Sequence, residues 1–392
     1  MDQSTARAQA ASSGKIAPAY GLRPGAEEFP LQIILSTIYP CNLGCPFCPY
    51  TDGNSEIRKF YHAQGGDLIP SALFRKIAEE AAPYKAFLRC TGGGEPLLHP
   101  DLVNLIEGAK KIGARLWLNT NGTPLWPKHP RTKRNLERLL ECDTDLIEFS
   151  VDAGDAETYA RTRPPRVGPA GPERWEHLVS AVRYALEYRK KIKAKTRLVC
   201  SIIMDELMRA KINAALRFWL RDVGVDEVIQ RKYLTWDHNT TLSFNKAYDP
   251  GLYARLEELN GNDGPALPPC VWPFERMNID TLGRVSLCGQ DISFSTSSQF
   301  PNIHDATIKE VWQGPTFRKY REMHLASRGE RIAPCSDCSA WKAGIRDWNH
   351  GWLKVLKTAE NKRDKALGLS STDVAEVGVA TDIVRHGDLE EP

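Results

Sequence analysis

Six times between residues 31 and 234 a short run of apolar, often β-branched residues gives way to a segment with helical spacing. That alternation restricts this stretch to βα units with parallel strands, because only a crossover helix can join strands running the same way. The expected strands are LQIILSTI (31–38), AFLRCTG (86–92), ARLWLNTNG (114–122), DLIEFSVDA (145–153), TRLVCSIIM (196–204) and DEVIQRKYL (226–234). Helical spacing covers 71–83, 101–113, 131–141, 173–191 and 207–222. Six such units suit a partial (β/α) barrel or an open sheet. In both, ligands bind at the C-terminal strand ends, where the βα loops gather.

The composition changes on either side of this core. Residues 1–29 are small and polar and read as a flexible tail; the core is expected over 30–240. NGNDGPALPP (260–269) has linker chemistry, and 275–289 reads as a hairpin turning at Asp280–Gly283. One amphipathic helix is expected over 307–328, closing a small domain at 260–345. A helix over 341–366 and a loose acidic end then fill 346–392. With 52 Lys+Arg against 49 Asp+Glu the net charge is only +3, which argues against a nucleic-acid or anionic-membrane partner. The basic stretch Lys128–Arg138 reads as a solvated helix face. No run of about 18 apolar residues is present, and the first residues lack an apolar signal region, so a cytoplasmic protein is expected.

Ten cysteines bring in chemistry, and grouped cysteines in a reducing compartment read as metal ligands. Cys41, Cys45 and Cys48 follow the first strand with Cys-x3-Cys-x2-Cys spacing. Three thiolates can hold three corners of an iron–sulfur cubane and leave the fourth iron open to a ligand that is not protein. A zinc loop completed by a distant His or Cys is the alternative. Thr91-Gly92-Gly93-Gly94-Glu95-Pro96 ends the second strand, one βα unit later. Successive glycines let backbone approach a ligand closely, and a carboxylate beside them can bind an ammonium group.

The cysteine loop with Phe47 before its last cysteine, together with Gly93-Gly94-Glu95, resembles the radical S-adenosylmethionine (radical SAM) superfamily over about 30–240. The resemblance implies a partial (β/α)6 barrel and a [4Fe–4S] cluster on Cys41, Cys45 and Cys48 whose open iron chelates SAM. It implies Phe47 near the adenine, Gly93, Gly94 and Glu95 at the methionyl ammonium, and Ser150 as a further SAM contact. It also implies cleavage of SAM to a 5′-deoxyadenosyl radical that takes a substrate hydrogen, with electrons from a flavodoxin- or ferredoxin-like donor.

A second cysteine group follows the linker: Cys270, then twelve residues, Gly283, four residues and Cys288, with Cys335-x2-Cys338 later. Four thiolates close a cluster or a zinc site equally well. The pattern resembles the SPASM/twitch extension of radical SAM enzymes. No cysteine follows Cys338, so the likeness is to the shorter twitch form with one auxiliary [4Fe–4S] cluster, as in aminoglycoside-pathway dehydrogenases that act on 2-deoxy-scyllo-inosamine. It implies a small-molecule substrate, a sugar or aminocyclitol whose secondary alcohol becomes a ketone in antibiotic biosynthesis. The alternatives are an epimerase or peptide-modifying enzyme with a cysteine hydrogen donor and, from another class, a non-enzymatic zinc–thiolate protein.

Candidate reacting groups lie near strand ends. Gln230, Arg231, Lys232, Tyr233, Asp237 and His238 gather at and after the sixth strand. Cys90 and Cys200 sit within strands two and five, where a thiol facing inward could return a hydrogen. Cys142 ends a helix and reads as structural. Arg161, Arg163 and Arg166 follow strand four and could clamp an anionic group.

Overall fold

The computed structural model describes residues 26–50, 56–168, 171–204, 206–232, 270, 272–326, 328–336, 338 and 383–384. Its sheet has the order β8-β7-β1-β2-β3-β4-β5-β6-β9. The strands are β1 (Gln32–Ser36), β2 (Phe87–Thr91), β3 (Arg115–Thr120), β4 (Leu146–Ser150), β5 (Arg197–Met204), β6 (Glu227–Lys232), β7 (Arg276–Ile279), β8 (Val285–Ser286) and β9 (Ile383–Val384). Strands β1 to β6 run parallel in chain order, as the alternation requires, and the fold is α/β.

The helices that join these strands lie on one face of the sheet. Helix α1 (Ser71–Ala81) shows why: Leu73, Phe74, Ile77, Ala78 and Ala81 fall on one stripe and are buried. They pack with Ile33, Leu35, Leu88 and Leu118 in the main core. Fully burying a side chain such as Phe74 or Ile77 stabilises the fold by about 2 kcal/mol. The opposite face carries a small apolar cluster of Phe87, Trp117, Leu146, Val199 and Ile229. Above that cluster it carries charged and polar groups, and these form part of the site.

Three expectations are corrected. The tail expected to run to residue 29 is packed from Ala26, whose carbonyl accepts from Trp312 Nε1 at 2.7 Å, and Phe29 stacks on Tyr84. The helix expected over 307–328 is two, α2 (Ile308–Gln313) and α3 (Pro315–Leu325). Gly314 between them is extended, because proline cannot donate an N–H and disfavours helical geometry in the residue before it. Ile383–Val384, expected in a loose tail, pairs antiparallel with Val228 and Ile229 of β6.

The expected hairpin forms, with Gly283 at φ +73 and Asp280 Oδ1 accepting from the Leu282 and Arg284 N–H groups at 2.9 and 2.8 Å. It does not stand apart, because β7 adds in parallel to β1 and so extends the core sheet. The linker at 260–269 and the helix expected at 341–366 lie outside the described residues. No helix among the described residues is long and apolar enough to cross a membrane.

Candidate active site

The loop that carries Cys41, Cys45 and Cys48 leaves the C-terminal end of β1 and is held from two sides. On one side is the glycine run after β2. Glu95 N–H donates to Pro40 O at 3.0 Å. A Cβ on Gly94 would stand 2.1 Å from that same carbonyl oxygen, so only glycine fits there. Gly92 has φ +132 and lies against the backbone of Ser36. On the other side is the segment expected to clamp an anion. Gly44 N–H donates to Pro164 O at 2.7 Å, Arg166 N–H donates to Asn42 O at 3.0 Å, and Leu43 bridges Pro165. This stretch therefore grips the cysteine loop. Arg163 is buried, pairs with Asp152 (Nε to Oδ2 2.8 Å) and lies 5.8 Å from the ring of Phe47. Asp152 reaches it from a left-handed turn at φ 44 after β4, while its Oδ1 accepts from Ile203 N–H at 2.6 Å.

Burial raises the Cys41 thiol, with Glu95 adding to the rise, and pushes Cys45 up to about 12 and Cys48 up to about 11, where the other cysteines of the group add to the rise. Thiols in such surroundings become thiolates when a cation displaces their protons. Arg163 acts the other way on all three, and Arg166 on Cys41 and Cys48, which suits a group of net negative charge. The donor set and the glycine cradle thus fit an iron–sulfur cluster.

Glu95 is buried, and burial raises its carboxyl. Its Oε1 accepts from Leu97 N–H at 3.0 Å and the Thr120 hydroxyl at 2.7 Å, and its Oε2 from Asn121 N–H at 2.7 Å. The carboxylate therefore ties the glycine turn to the end of β3. Gly93 packs on the rings of Tyr39 and Tyr50, and Ser150 ends β4 half-buried beside Ser201 of β5.

On the face away from the helices, Glu148 joins β4 to three other strands. Its Oε1 accepts from Arg231 Nε and NH2 at 3.0 and 2.6 Å. Its Oε2 accepts from Trp117 Nε1 at 2.9 Å and Arg89 NH2 at 3.5 Å. Residues of β2, β3 and β6 thus reach one carboxylate on this face. Burial alone would raise Glu148, but Arg231 and Arg89 outweigh it and hold the carboxyl at about 2. Arg231, a candidate reacting group, is thus fixed by an ion pair. Tyr233, Asp237 and His238 lie outside the described residues.

Cys90 and Cys200 do not lie on this face. They are buried in the main core with Leu88, Leu198 and Ile202, on the helix side. Strand side chains alternate, and Arg89 and Val199 take the inner positions beside them. Burial holds both thiols up, Cys90 to about 12. They are removed as candidate hydrogen donors. Cys142 is the C-cap of the helix Pro130–Glu141, as expected.

The four later cysteines come from separate segments. Cys270 precedes a helical turn, Cys288 follows β8, and Cys335 and Cys338 follow α3. Burial raises Cys270, to about 12, as well as Cys288 and Cys335, and Cys338 adds to the rise in each, so the thiols are electrostatic neighbours. Among the described residues no three Cys, His, Asp or Glu side chains close to metal-ligating geometry. Three buried thiols and the partly buried Cys270 are nevertheless the donor set of a closed cluster. His324 of α3 lies among them, a residue that sequence spacing does not reveal. Its Nδ1 accepts from Cys270 N–H at 3.4 Å, and its Nε2 lies 3.5 Å from Cys335 Sγ.

The family model described as radical SAM superfamily matches residues 35–204, and an iron–sulfur cluster-binding domain model, SPASM, matches 270–339. The chain is 32% identical over 328 residues to the tungsten-containing aldehyde ferredoxin oxidoreductase cofactor-modifying protein of Pyrococcus furiosus, covering 76% of this chain and 84% of that one. It is 30% identical over 306 residues to the AdoMet-dependent heme synthase of Methanosarcina barkeri, covering 72% and 82%. Streptococcus suis SuiB bound to S-adenosylmethionine shares the fold at TM-score 0.53 and 17% identity, over 81% of this chain and 72% of SuiB. A [4Fe–4S] cluster with SAM, and further iron–sulfur ligation in the C-terminal part, come with these families. The chain belongs to the radical SAM superfamily, with a SPASM domain after its core.

Proposed function

We propose that the chain is an oxidative radical SAM enzyme that removes hydrogen from a substrate carbon and does not give it back. The reading is carried by the placement of Cys90 and Cys200 on the helix side of the sheet. Among the described residues, no cysteine outside the two cluster groups lies on the face that carries Glu148, where it could return a hydrogen atom. In this reading Cys41, Cys45 and Cys48 hold the first cluster, and Cys270, Cys288, Cys335 and Cys338 hold one auxiliary cluster. Phe47, Gly93, Gly94, Glu95 and Ser150 surround SAM. The bound cofactors supply a 5′-deoxyadenosyl radical and a path for the electron left behind.

The chain's own contribution is position and charge. The Glu148 ion pairs immobilise Arg89 and Arg231, so guanidinium donors face the substrate without reorganising. Such donors suit the oxygens of a sugar or cyclitol, whose secondary alcohol would become a ketone. Tyr233, Asp237 and His238 are the candidates to take the hydroxyl proton. A second reading, a peptide or cofactor substrate, is favoured by the names of relatives: the Pyrococcus protein above, and the PqqA peptide cyclase of Gluconobacter oxydans, 23% identical over 341 residues.

The test is anaerobic turnover in deuterium oxide with SAM, a reductant, and panels of sugars, aminocyclitols and peptides. A product lighter by two hydrogen atoms, formed with 5′-deoxyadenosine, is expected. The panel that reacts separates the two substrate readings. A product of unchanged formula carrying one solvent deuterium overturns the oxidative reading.

A further inference from the structure

The ring of His324 ties two distant cysteines of the C-terminal group together. It lies on α3 and is buried. Its Nδ1 accepts the backbone N–H of Cys270 at 3.4 Å. A ring nitrogen that accepts an N–H carries no proton of its own, so the imidazole is neutral and its single proton sits on Nε2. Nε2 lies 3.5 Å from Cys335 Sγ, within the range of an N–H···S contact. The backbone at residue 270 thus sets the tautomer, and the tautomer aims a donor at the sulfur of residue 335.

We infer that His324 is a positioning residue of the auxiliary cluster, donating a hydrogen bond from Nε2 to the Cys335 thiolate and raising the cluster's reduction potential. The direction follows from charge. Reduction adds an electron that spreads onto the ligand sulfurs, and a donor on one sulfur stabilises the reduced form more than the oxidised one. The ring also registers Cys270, before the hairpin, against Cys335, after α3. Two ligands separated by most of the domain are thereby set by one side chain. This inference rests on the proposed assignment of the four later cysteines as cluster ligands.

The test uses the full-length, anaerobically reconstituted protein with both clusters. In the native protein labelled with ¹⁵N-histidine, pulsed EPR of the reduced cluster whose spectrum SAM does not alter is expected to show one weak histidine-nitrogen coupling and one exchangeable deuteron. No nitrogen coupling overturns the inference. So does a strong coupling, which would make His324 a direct ligand. His324→Leu is expected to keep its iron, lose the deuteron coupling and lower that cluster's potential while the SAM-binding cluster stays unchanged. His324→Gln, which keeps an N–H donor, is expected to recover part of the potential. An unchanged potential in a fully loaded His324→Leu protein overturns the inference. Cys335→Ala tests the ligand assignment separately, since full auxiliary-cluster iron in that variant would sink the assignment itself.

Discussion

Replacing Glu148 by glutamine removes the carboxylate that Arg89, Trp117 and Arg231 share. The carboxyl titrates at about 2 instead of 4.5, a gap worth about 3 kcal/mol in favour of the ionised fold. Arg89 moves against this, because burial pushes it down to about 10, at a similar cost. The intact cluster of charges therefore adds little net stability over an apolar filling, yet breaking it leaves two largely buried guanidinium groups without their carboxylate. Losing one partner of a buried pair costs about 3–5 kcal/mol, and Glu148→Gln is expected to destabilise the protein by about 3 kcal/mol at pH 7. Urea denaturation followed by far-UV circular dichroism reads this directly. The triple variant Glu148→Leu, Arg89→Met, Arg231→Met should recover to within about 1 kcal/mol of the native protein. Because Glu148 is held below its unfolded value, its stabilisation is complete above about pH 4.5 and is lost as the pH falls towards 2. The native protein and Glu148→Gln should therefore converge in acid. A loss below about 1 kcal/mol at pH 7, or a triple variant as unstable as the single one, would refute the reasoning.

Two further outcomes follow from the site. Gly94→Ala forces the backbone of Tyr39–Pro40 to move, since its Cβ would meet Pro40 O at 2.1 Å. It should fold and keep the auxiliary iron but lose the first cluster and 5′-deoxyadenosine formation; full iron with normal SAM cleavage would contradict it. Cys90→Ala and Cys200→Ala should each cost about 1 kcal/mol of stability, an ordinary value for a small core change, and leave the product unaltered in deuterium oxide. A changed product mass in either variant would restore a thiol to the site.

The features legible in the sequence are those carried by neighbours in the chain. The strand runs, the Cys41–Cys48 spacing and the Gly92–Glu95 turn are local, and the structure brings the last two together because both follow adjacent parallel strands. The break at Gly314–Pro315 was local too and could have been read from the proline. Strand facing was not legible. β2 and β5 bury both faces, so apolar character no longer marks which side a residue takes, and Cys90 and Cys200 could not be oriented. Arg163 and Arg166 read as anion binders, but charge in a loop carries no record of what folds back onto it, so the Asp152 pair and the grip on the cysteine loop were not legible.

By itself, then, the sequence determined a parallel α/β core, the thiol sets and the tight glycine turn, since each depends on backbone geometry or ligand spacing over a few residues. Only the tertiary structure decided that β7 continues the core sheet beside β1, that Glu148 collects donors from three other strands, and that His324 lies between Cys270 and Cys335. Each of these contacts joins residues distant in the chain. Their pairing is selected by the packing of the whole fold, which no local pattern encodes.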